Sequence, residues 1–272
     1  MLTVSELFIY PVKSLGGFAV PAAVVTDRGL QHDRRWMLVD EQNNFLTQRE
    51  FAEMALLQVT LTVNGLQVRH KINGDVINIP AAPQTNEIAA VKIWDDECIA
   101  QFVNAGADEW FSDMLSTKCR LVYMPDSTKR KVDESYATNN EITSLSDGYP
   151  LLIIGQASLA DLNSRLAEPL PINRFRPNIV FTGGAAFEED SLKHFTINHI
   201  NFYGVKPCAR CPIPTIDQGN ATKSKEPLKT LATYRMKNNK VYFGQNLLHN
   251  GEGIINVGDK IIIHQLNEPA QF

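Results

Sequence analysis

The sequence predicts an α+β, β-rich fold, because hairpin signals fill the first half and short strands fill the second. In the first half, Asn64-Gly65 and Asn73-Gly74 each separate runs of apolar residues, which is a strong local signal for a β-hairpin. In the second half, short apolar runs between Gly, Pro and Asn indicate a closed antiparallel barrel or a sandwich. These runs are residues 150–154, 178–181, 195–203, 241–243 and 259–264.

Two further segments have a helical pattern. Residues 99–115 carry large apolar side chains near the helical period, and Ser158 is expected to open a second helix with a variant capping box. Between them, residues 125–140 are polar and charged without a sustained apolar period, which is typical of a domain boundary or a long surface loop. The predicted domains are therefore residues 1–125 and 126–272.

Composition excludes several classes of protein. A chain of 272 residues that is 44% hydrophobic can bury a full core, and its four cysteines are too few for a disulfide scaffold, so a cytoplasmic location is expected. The N-terminus lacks the pattern of a signal peptide and no apolar run reaches membrane-spanning length, so no membrane partner is expected. A net charge of −4 without a basic, aromatic-interleaved stretch predicts no nucleic-acid partner.

The segment Cys208-Ala-Arg-Cys211 is the strongest chemical signal in the chain. Prolines on both sides predict a shaped loop rather than a helix interior or a central strand. The neighbouring cations Lys206 and Arg210 favour a thiolate, which is the form that acts as a nucleophile or as a ligand to a soft metal. The alternative is a pair of ordinary cysteines that happen to lie three residues apart.

A loop early in the chain could bind an anion. Lys13 and Ser14 follow a β run, and Gly16-Gly17 permits backbone N–H groups to turn toward a negative charge. The order of residues is not that of a Walker P-loop. The alternative is a plain glycine-rich turn with a solvated lysine.

Two arginine-containing segments add candidate anion ligands. Pro177 is expected to hold Arg176 in an extended conformation before a strand, with the Asn178 amide beside it. Arg34 and Arg35 begin another strand and should point to opposite faces, so that one of them can reach a site. Ordinary structural ion pairs remain the alternative for each segment.

A zinc site and a redox dithiol are both disfavoured. His194 and His199 could complete a two-His, two-Cys set, but across a predicted strand their side chains would leave on opposite faces. The C-x-x-C segment also does not open a helix within a βαβ unit, as a thioredoxin-like dithiol does.

Eight segments in one order resemble the MOSC-domain proteins, and in particular the mitochondrial amidoxime reducing component and its bacterial relatives. The likeness extends from residue 3 to residue 264. The matching segments are residues 10–14, 33–36, 157–165, 175–180, 189–190, 206–211, 226–231 and 243–245.

The resemblance implies an N-terminal MOSC-associated domain and an antiparallel β-barrel MOSC domain with a molybdenum cofactor, Mo-molybdopterin, between them. It implies that Cys211 is the protein's ligand to the metal and a catalytic residue, that Cys208 is a nearby non-ligating cysteine, and that Asp217 is a second catalytic residue. Gly148 and Tyr149 depart from the hydroxyl residues of a close relative. The implied cofactor-binding residues are Lys13, Ser14, Arg34, Asp147, Arg176, Asn178, Arg210 and Thr215.

The implied function is the reduction of N-hydroxylated small molecules, namely amidoximes, hydroxylamines and N-hydroxy nucleobases. No cysteine-rich segment for an iron–sulfur cluster follows the last predicted strand, so a separate flavin or iron–sulfur protein is expected to donate the electrons. Two alternatives stay open at this point. One is a non-catalytic carrier of molybdenum cofactor or sulfur, and the other is a pyridoxal-phosphate protein with Lys13 as the Schiff base.

Overall fold

The computed structural model describes residues 1–137, 139–268 and 272. Its strands are β1 (Leu2–Ile9), β2 (Phe18–Val20), β3 (Ala22–Thr26), β4 (Gly29–Leu30), β5 (Trp36–Val39), β6 (Leu57–Thr62), β7 (Gly65–His70), β8 (Val76–Pro80), β9 (Ile88–Ile93), β10 (Asp96–Phe102), β11 (Arg120–Tyr123), β12 (Arg130–Lys131), β13 (Ile142–Thr143), β14 (Leu151–Gly155), β15 (Ile179–Thr182), β16 (Leu192–Ile197), β17 (Ile200–Ala209), β18 (Met236–Lys237), β19 (Lys240–Asn250), β20 (Gly253–Asn256) and β21 (Lys260–Leu266).

The helices are few and short. They are α1 (Ala105–Leu115), α2 (Gln156–Ser164) and α3 (Leu228–Leu231), with 3₁₀ turns at Ala52–Leu56, Ile172–Arg174, Glu188–Ser191 and Ile213–Thr215. Within the described ranges, no helix combines the length and the apolar character needed to cross a membrane. The prediction of a β-rich chain is confirmed.

A closed barrel of seven strands forms the larger part of the described structure. Its strands follow the order β14, β15, β1, β21, β16, β17 and β19, and β19 pairs again with β14 to close the ring. All neighbours are antiparallel except β14 and β15. Inside lies an aromatic and aliphatic core that includes Phe181, Phe195 and Phe202. The barrel prediction is confirmed and the sandwich alternative is excluded.

The first strand of the chain belongs to this barrel rather than to the N-terminal sheets. β1 pairs with β15 on one side and with β21 on the other. The polar segment after residue 125 forms the small hairpin of β12 and β13, where Arg130 is buried and donates hydrogen bonds to the carbonyl oxygens of Ser144 and Ser146. The division into residues 1–125 and 126–272 stays a prediction.

Most of the remaining N-terminal strands form two small sheets, while β3 and β4 pair with β20 in a third. β5, β11, β10 and β9 form one sheet, β6, β7 and β8 form the other, and both predicted Asn-Gly hairpins are confirmed. Gly65 has a φ of +142°, and a Cβ there would lie 2.1 Å from the carbonyl oxygen of Ile79, so the turn requires glycine. Phe111 of α1 packs against Leu57 and Leu121 in the core beneath these sheets.

Three predicted elements differ in their bounds. Residues 99–102 belong to β10, and α1 begins at Ala105 because the Asn104 side chain accepts a hydrogen bond from the N–H of Ala107. Residues 195–203 form two strands, since Asn198 takes a left-handed φ of 54° and turns the chain. The helix predicted to open at Ser158 begins at Gln156 instead.

Ser158 has a different partner from the one predicted. Its Oγ donates a hydrogen bond to Oε2 of Glu189 at 2.7 Å and accepts one from the N–H of Phe187 at 2.7 Å. The Glu189 carboxyl group is completely buried, and burial raises its pKa to about 7. This carboxyl group is therefore protonated in the folded protein at a pH where it ionises in the unfolded chain.

Glu189→Gln should remove a pH-dependent loss of stability. In the wild type, the unfolded chain ionises above its ordinary pKa near 4.5 while the folded carboxyl group holds its proton up to about pH 7, so stability falls as pH rises through this window. The difference between variant and wild type should grow to ~3 kcal/mol above pH 7 and be small at pH 4. Urea unfolding at both pH values measures it, and equal differences at the two pH values would contradict the pKa assignment.

Gly204→Ala should destabilise the barrel. A Cβ at position 204 would lie 1.8 Å from the carbonyl oxygen of Leu192 on the neighbouring strand, so β16 and β17 would have to separate. We expect the free energy of unfolding to fall by about 1–3 kcal/mol, as overpacked cores do. Gly106→Ala is the control, because that glycine lies in α1, a Cβ there would meet Asn104 Oδ1 at 3.7 Å in ordinary contact, and alanine should stabilise the helix by up to about 1 kcal/mol. Equal unfolding midpoints for the two variants would refute the steric argument.

Candidate functional site

A cavity of about 320 Å³ is lined by residues from both predicted domains. It brings together side chains that are far apart in the sequence, and it contains most of the predicted site residues. Those that line it are Lys13, Ser14, Arg34, Asp147, Arg176, Asn178, Arg210 and Cys211.

The cysteine segment reaches this cavity at the end of a barrel strand. β17 continues through Pro207 to Ala209, so the prediction that this stretch cannot belong to a central strand is wrong. The strand tolerates the proline because its pairing with β19 shifts register between Pro207 and Ala209, where a β-bulge makes the missing N–H unnecessary. Beyond Ala209 the chain leaves the sheet, and half-buried Cys208 and Cys211 both line the cavity.

Arg210 organises the surroundings of Cys208. Its Nη1 lies 3.1 Å from the Cys208 Sγ, and its Nη2 donates a hydrogen bond to the carbonyl oxygen of Phe175 at 2.8 Å. Burial raises the pKa of the Cys208 thiol and outweighs the opposing effect of the Arg210 charge. For Cys208, the Arg210 charge favours the thiolate as predicted, but burial outweighs it and the net shift of the pKa is upward.

Lys13 and Asp147 form an ion pair on the wall of the cavity. Lys13 is buried, and its Nζ lies 2.6 Å from Oδ1 of Asp147, whose side chain remains two-thirds exposed. Desolvation by the surrounding cavity wall would raise the pKa of Asp147, but the Lys13 ammonium group outweighs it and holds this pKa well below its usual range. Burial also lowers the pKa of Lys13. The Nε1 of Trp94 donates to the same carboxylate oxygen at 3.3 Å.

The two glycines after Ser14 serve packing rather than anion binding. The N–H of Gly16 donates a hydrogen bond to the carbonyl oxygen of Leu57 at 2.9 Å. A Cβ on Gly17 would lie 2.3 Å from the Tyr10 ring. The expectation that these N–H groups turn toward an anion is therefore wrong for Gly16, whereas Lys13 and Ser14 of the same loop do line the cavity.

Two guanidinium groups lie over one buried aromatic ring. The Cζ atoms of Arg34 and Arg176 are 4.8 Å and 4.4 Å from the centroid of the Tyr10 ring. Arg34 Nη1 donates to the Asn178 side chain at 3.3 Å, and Arg176 Nη1 donates to the carbonyl oxygen of Leu15 at 2.7 Å. Burial, assisted by repulsion from Arg34, lowers the pKa of Arg176 to about 10. Both cations are therefore held in the cavity wall against their mutual repulsion.

The backbone of Arg176 differs from the prediction. Its φ is +56°, in the left-handed region, although the following Pro177 was expected to hold it extended. The 3₁₀ turn at Ile172–Arg174 and a hydrogen bond from the N–H of Arg176 to the carbonyl oxygen of Asn173 override the local preference. Arg34 and Arg35 do not begin the strand as predicted, because β5 begins at Trp36 and Arg34 has a left-handed φ of 50°. Their side chains nevertheless have different surroundings. Arg34 lines the cavity, whereas Arg35 donates to Tyr123 and Asp126 elsewhere.

Positive charge dominates the cavity wall. Among the described residues that line it, Asp147 is the one carboxylate. The lining cations number six, so the wall favours an anionic ligand. They are Lys13, Arg34, Arg49, Arg176, Lys206 and Arg210.

The sequence analysis missed an aromatic side of the cavity. Trp94 lies at the tip of the β9–β10 hairpin with a left-handed φ of 58°, and the Arg49 guanidinium lies 3.9 Å from its ring centroid. Phe45 packs edge-on against Trp94 at 5.1 Å. Phe45 and Arg49 lie in one segment and Trp94 in another, without a shared motif, so no signal in the sequence marked this side of the cavity.

Two predicted site residues do not line the cavity. Thr215 is buried and its hydroxyl donates to the carbonyl oxygen of Pro212, where it closes a 3₁₀ turn. Asp217 accepts a hydrogen bond from Nη1 of Arg174 at 2.9 Å. Their predicted roles in cofactor binding and catalysis stay predictions.

Comparisons with known proteins agree with this architecture. The family described as MOSC N-terminal beta barrel domain matches residues 1–118, and the MOSC domain family matches residues 140–262. The mouse mitochondrial amidoxime-reducing component 1 is 31% identical, with 96% of this chain and 82% of that protein covered.

Two other relatives broaden the comparison. The rat mitochondrial amidoxime reducing component 2 is 34% identical over 86% of this chain and 72% of its own length. The rice molybdenum cofactor sulfurase is 31% identical over 92% of this chain but only 32% of its own length. Since both domain families match in order and the relatives match over nearly the full chain, this protein belongs to the MOSC-domain family that includes the amidoxime-reducing components.

Proposed function

We propose that this chain binds the molybdenum cofactor in the cavity and reduces N-hydroxylated compounds with electrons from a separate flavin or iron–sulfur protein. The observation that carries the proposal is one cavity that holds both a thiol, Cys211, and the cations Lys13, Arg34 and Arg176. A cofactor with a soft metal and a phosphate group needs this combination of ligands. The relatives named amidoxime-reducing components support the choice of reaction.

The chemistry of the cavity fits such a cofactor. Its six lining cations exceed its single carboxylate, so a phosphate would offset charge that the protein leaves in excess. The buried Nε of Arg210 has no hydrogen-bond partner in the structure, which leaves a donor available beside the thiol segment.

The residues that line the cavity would divide between the phosphate and the metal of the cofactor. Lys13, Arg34, Arg176 and the Asn178 amide would hold the phosphate, and the Cys211 sulfur would ligate the metal. When bound, the cofactor supplies the two-electron reduction that cleaves the N–O bond of the substrate.

The side chains around the cofactor have further proposed roles. Asp147 stays ionised at neutral pH because its pKa is held low, so it accepts hydrogen bonds, and Lys13 holds the proton of this pair at Nζ. Phe45 and Trp94 form an apolar side of the cavity that limits the access of water to the bound substrate. The proposed roles are therefore positioning, charge compensation and exclusion of water.

The second candidate function is a carrier that binds the cofactor, or sulfur destined for it, without turnover. The rice molybdenum cofactor sulfurase favours it, because this chain matches one third of that protein. The pyridoxal-phosphate alternative has no such support, and it gives no role to Cys211.

Phosphate should raise the unfolding temperature of the cofactor-free protein through the cationic wall. Arg176→Met should lose most of this increase, because the variant lacks a buried guanidinium that faces the cavity. Differential scanning calorimetry with increasing inorganic phosphate measures the shift. Arg165→Met is the matched control, since Arg165 forms an exposed pair with Asp161 on α2. Equal phosphate shifts in both variants would place anion binding elsewhere.

Cys211→Ser should abolish reduction of benzamidoxime, whereas Cys208→Ser should retain most of it. Both thiols line the cavity, so the two variants differ in the ligand role and not in location. We expect activity with an artificial electron donor to fall at least about a hundredfold in Cys211→Ser, since even changes to residues around a metal ligand cost 10- to 100-fold. Molybdenum content is measured on the same preparations from a host that makes the cofactor.

The outcomes of this comparison separate the candidate functions. Near-stoichiometric molybdenum in the wild type without turnover of any N-hydroxylated compound would favour the carrier. Full activity in Cys211→Ser would contradict the ligand assignment itself.

A further inference from the structure

The segment that carries Arg176 and the segment that carries Cys211 are fastened to each other by reciprocal hydrogen bonds. From the first segment, Arg174 donates through Nε to the carbonyl oxygen of Pro214 at 2.9 Å and through Nη1 to Oδ2 of Asp217 at 2.9 Å. From the second segment, Arg210 donates to the carbonyl oxygen of Phe175 at 2.8 Å. Each segment therefore contributes one arginine that fixes the other.

Arg174 is an unusual part of this arrangement because it is buried but does not line the cavity. Only 3% of the residue is exposed, and a guanidinium group buried to this extent requires partners for its charge and its N–H groups. Its partners all belong to the loop after Cys211. Its neighbours Phe175 and Arg176 both line the cavity, so the side chain acts one residue away from the site.

Asp217 faces Arg174 rather than the cavity. We call the hydrogen bonds that Arg174 makes with Pro214 and Asp217 the clamp. Its Oδ1 accepts hydrogen bonds from the N–H groups of Gly219 and Asn220, at 2.8 Å and 3.0 Å, and its Oδ2 accepts from Arg174. Both carboxylate oxygens are therefore engaged in fixing the loop. The 3₁₀ turn at Ile213–Thr215 lies between Cys211 and Asp217, and its central carbonyl group is the second acceptor for Arg174.

We propose that Arg174 is a positioning residue that, with Asp217 as its partner, sets the place of the Cys211 thiol relative to the Arg176 guanidinium. The positioning role itself depends only on the contacts described above. Its significance rests on the proposed function, because a cofactor that spans from thiol to phosphate site requires a fixed separation between its two points of attachment.

The first test uses the cofactor-free protein and the rate at which iodoacetamide alkylates Cys211. Arg174→Gln should raise this rate about tenfold, because losing hydrogen bonds from a buried charged donor lets the loop open more often. Trypsin cleaves after Arg210, so Cys208 and Cys211 fall in different peptides and mass spectrometry reads them separately. Buried Cys98 and Cys119 report global unfolding, because they react only if the chain opens.

Two further variants connect the effect to the clamp. Asp217→Asn should raise the rate by less than Arg174→Gln does, because the hydrogen bond to Pro214 remains. The double variant should react no faster than Arg174→Gln alone, since the contact that Asp217→Asn breaks is already lost in Arg174→Gln. Arg174→Lys should restore part of the protection through its ammonium group. Arg165→Gln, which removes the exposed pair with Asp161, should leave the rate unchanged.

The results distinguish this inference from the proposed function. An unchanged Cys211 rate in Arg174→Gln, or additive effects in the double variant, would overturn the positioning role whatever the protein catalyses. If the variants are alkylated at the predicted rates but the wild type with bound cofactor reduces no N-hydroxylated compound, the positioning role is supported and the proposed function is contradicted. If both hold, kcat for benzamidoxime should fall in Arg174→Gln with KM little changed. Should Arg174→Gln expose Cys98 and Cys119, Asp217, which is only partly buried, still allows the test through Asp217→Asn.

Discussion

Concentrated positive charge around Tyr10 is the constraint on which the rest of the site depends. Arg34 and Arg176 lie over the same ring, and Lys13 is buried nearby in the same cavity wall. Such groups repel one another, so the fold must supply partners that hold them in place. Asp33 supplies one of them, since its carboxylate accepts hydrogen bonds from the Tyr10 N–H and from Arg34.

The barrel supplies the remaining support at the ends of its strands. Asn178 lies directly before β15; its N–H donates to the carbonyl oxygen of Leu152, and its own carbonyl accepts from the N–H of Phe8. Its side-chain oxygen accepts from Arg34 at 3.3 Å. Through its backbone and its side chain, Asn178 thus connects β14, β15 and β1 to the Arg34 guanidinium group. A ring of strands that closes on itself has no free edge here, which keeps these attachment points at constant distances.

The segment that carries Cys211 is held in place in a different way. The β-bulge between Pro207 and Ala209 precedes the last pair of β17 with β19, which is Ala209 with Tyr242, and the chain then continues through Pro212 into a 3₁₀ turn. Buried Arg174 and its partly exposed partner Asp217 fix this loop from outside the cavity, so the cavity wall remains available for a ligand. The cationic wall and the thiol are therefore held by separate sets of contacts, and hydrogen bonds between their two segments connect them.

The sequence by itself determined the β-rich class, both Asn-Gly hairpins and the family, because turn residues and short motifs act locally. It also identified Lys13, Arg34, Arg176 and Cys211, since each stands in a compact motif. Only the tertiary structure decided how β1 joins the barrel, that Arg176 adopts a left-handed backbone before a proline, and that Trp94 faces the cavity. These features depend on contacts between segments far apart in the sequence, such as Leu2 with Ile261, and Arg176 with Leu15, which are 161 residues apart. Local propensity carries no information about such contacts, because burial and long-range hydrogen bonds override it.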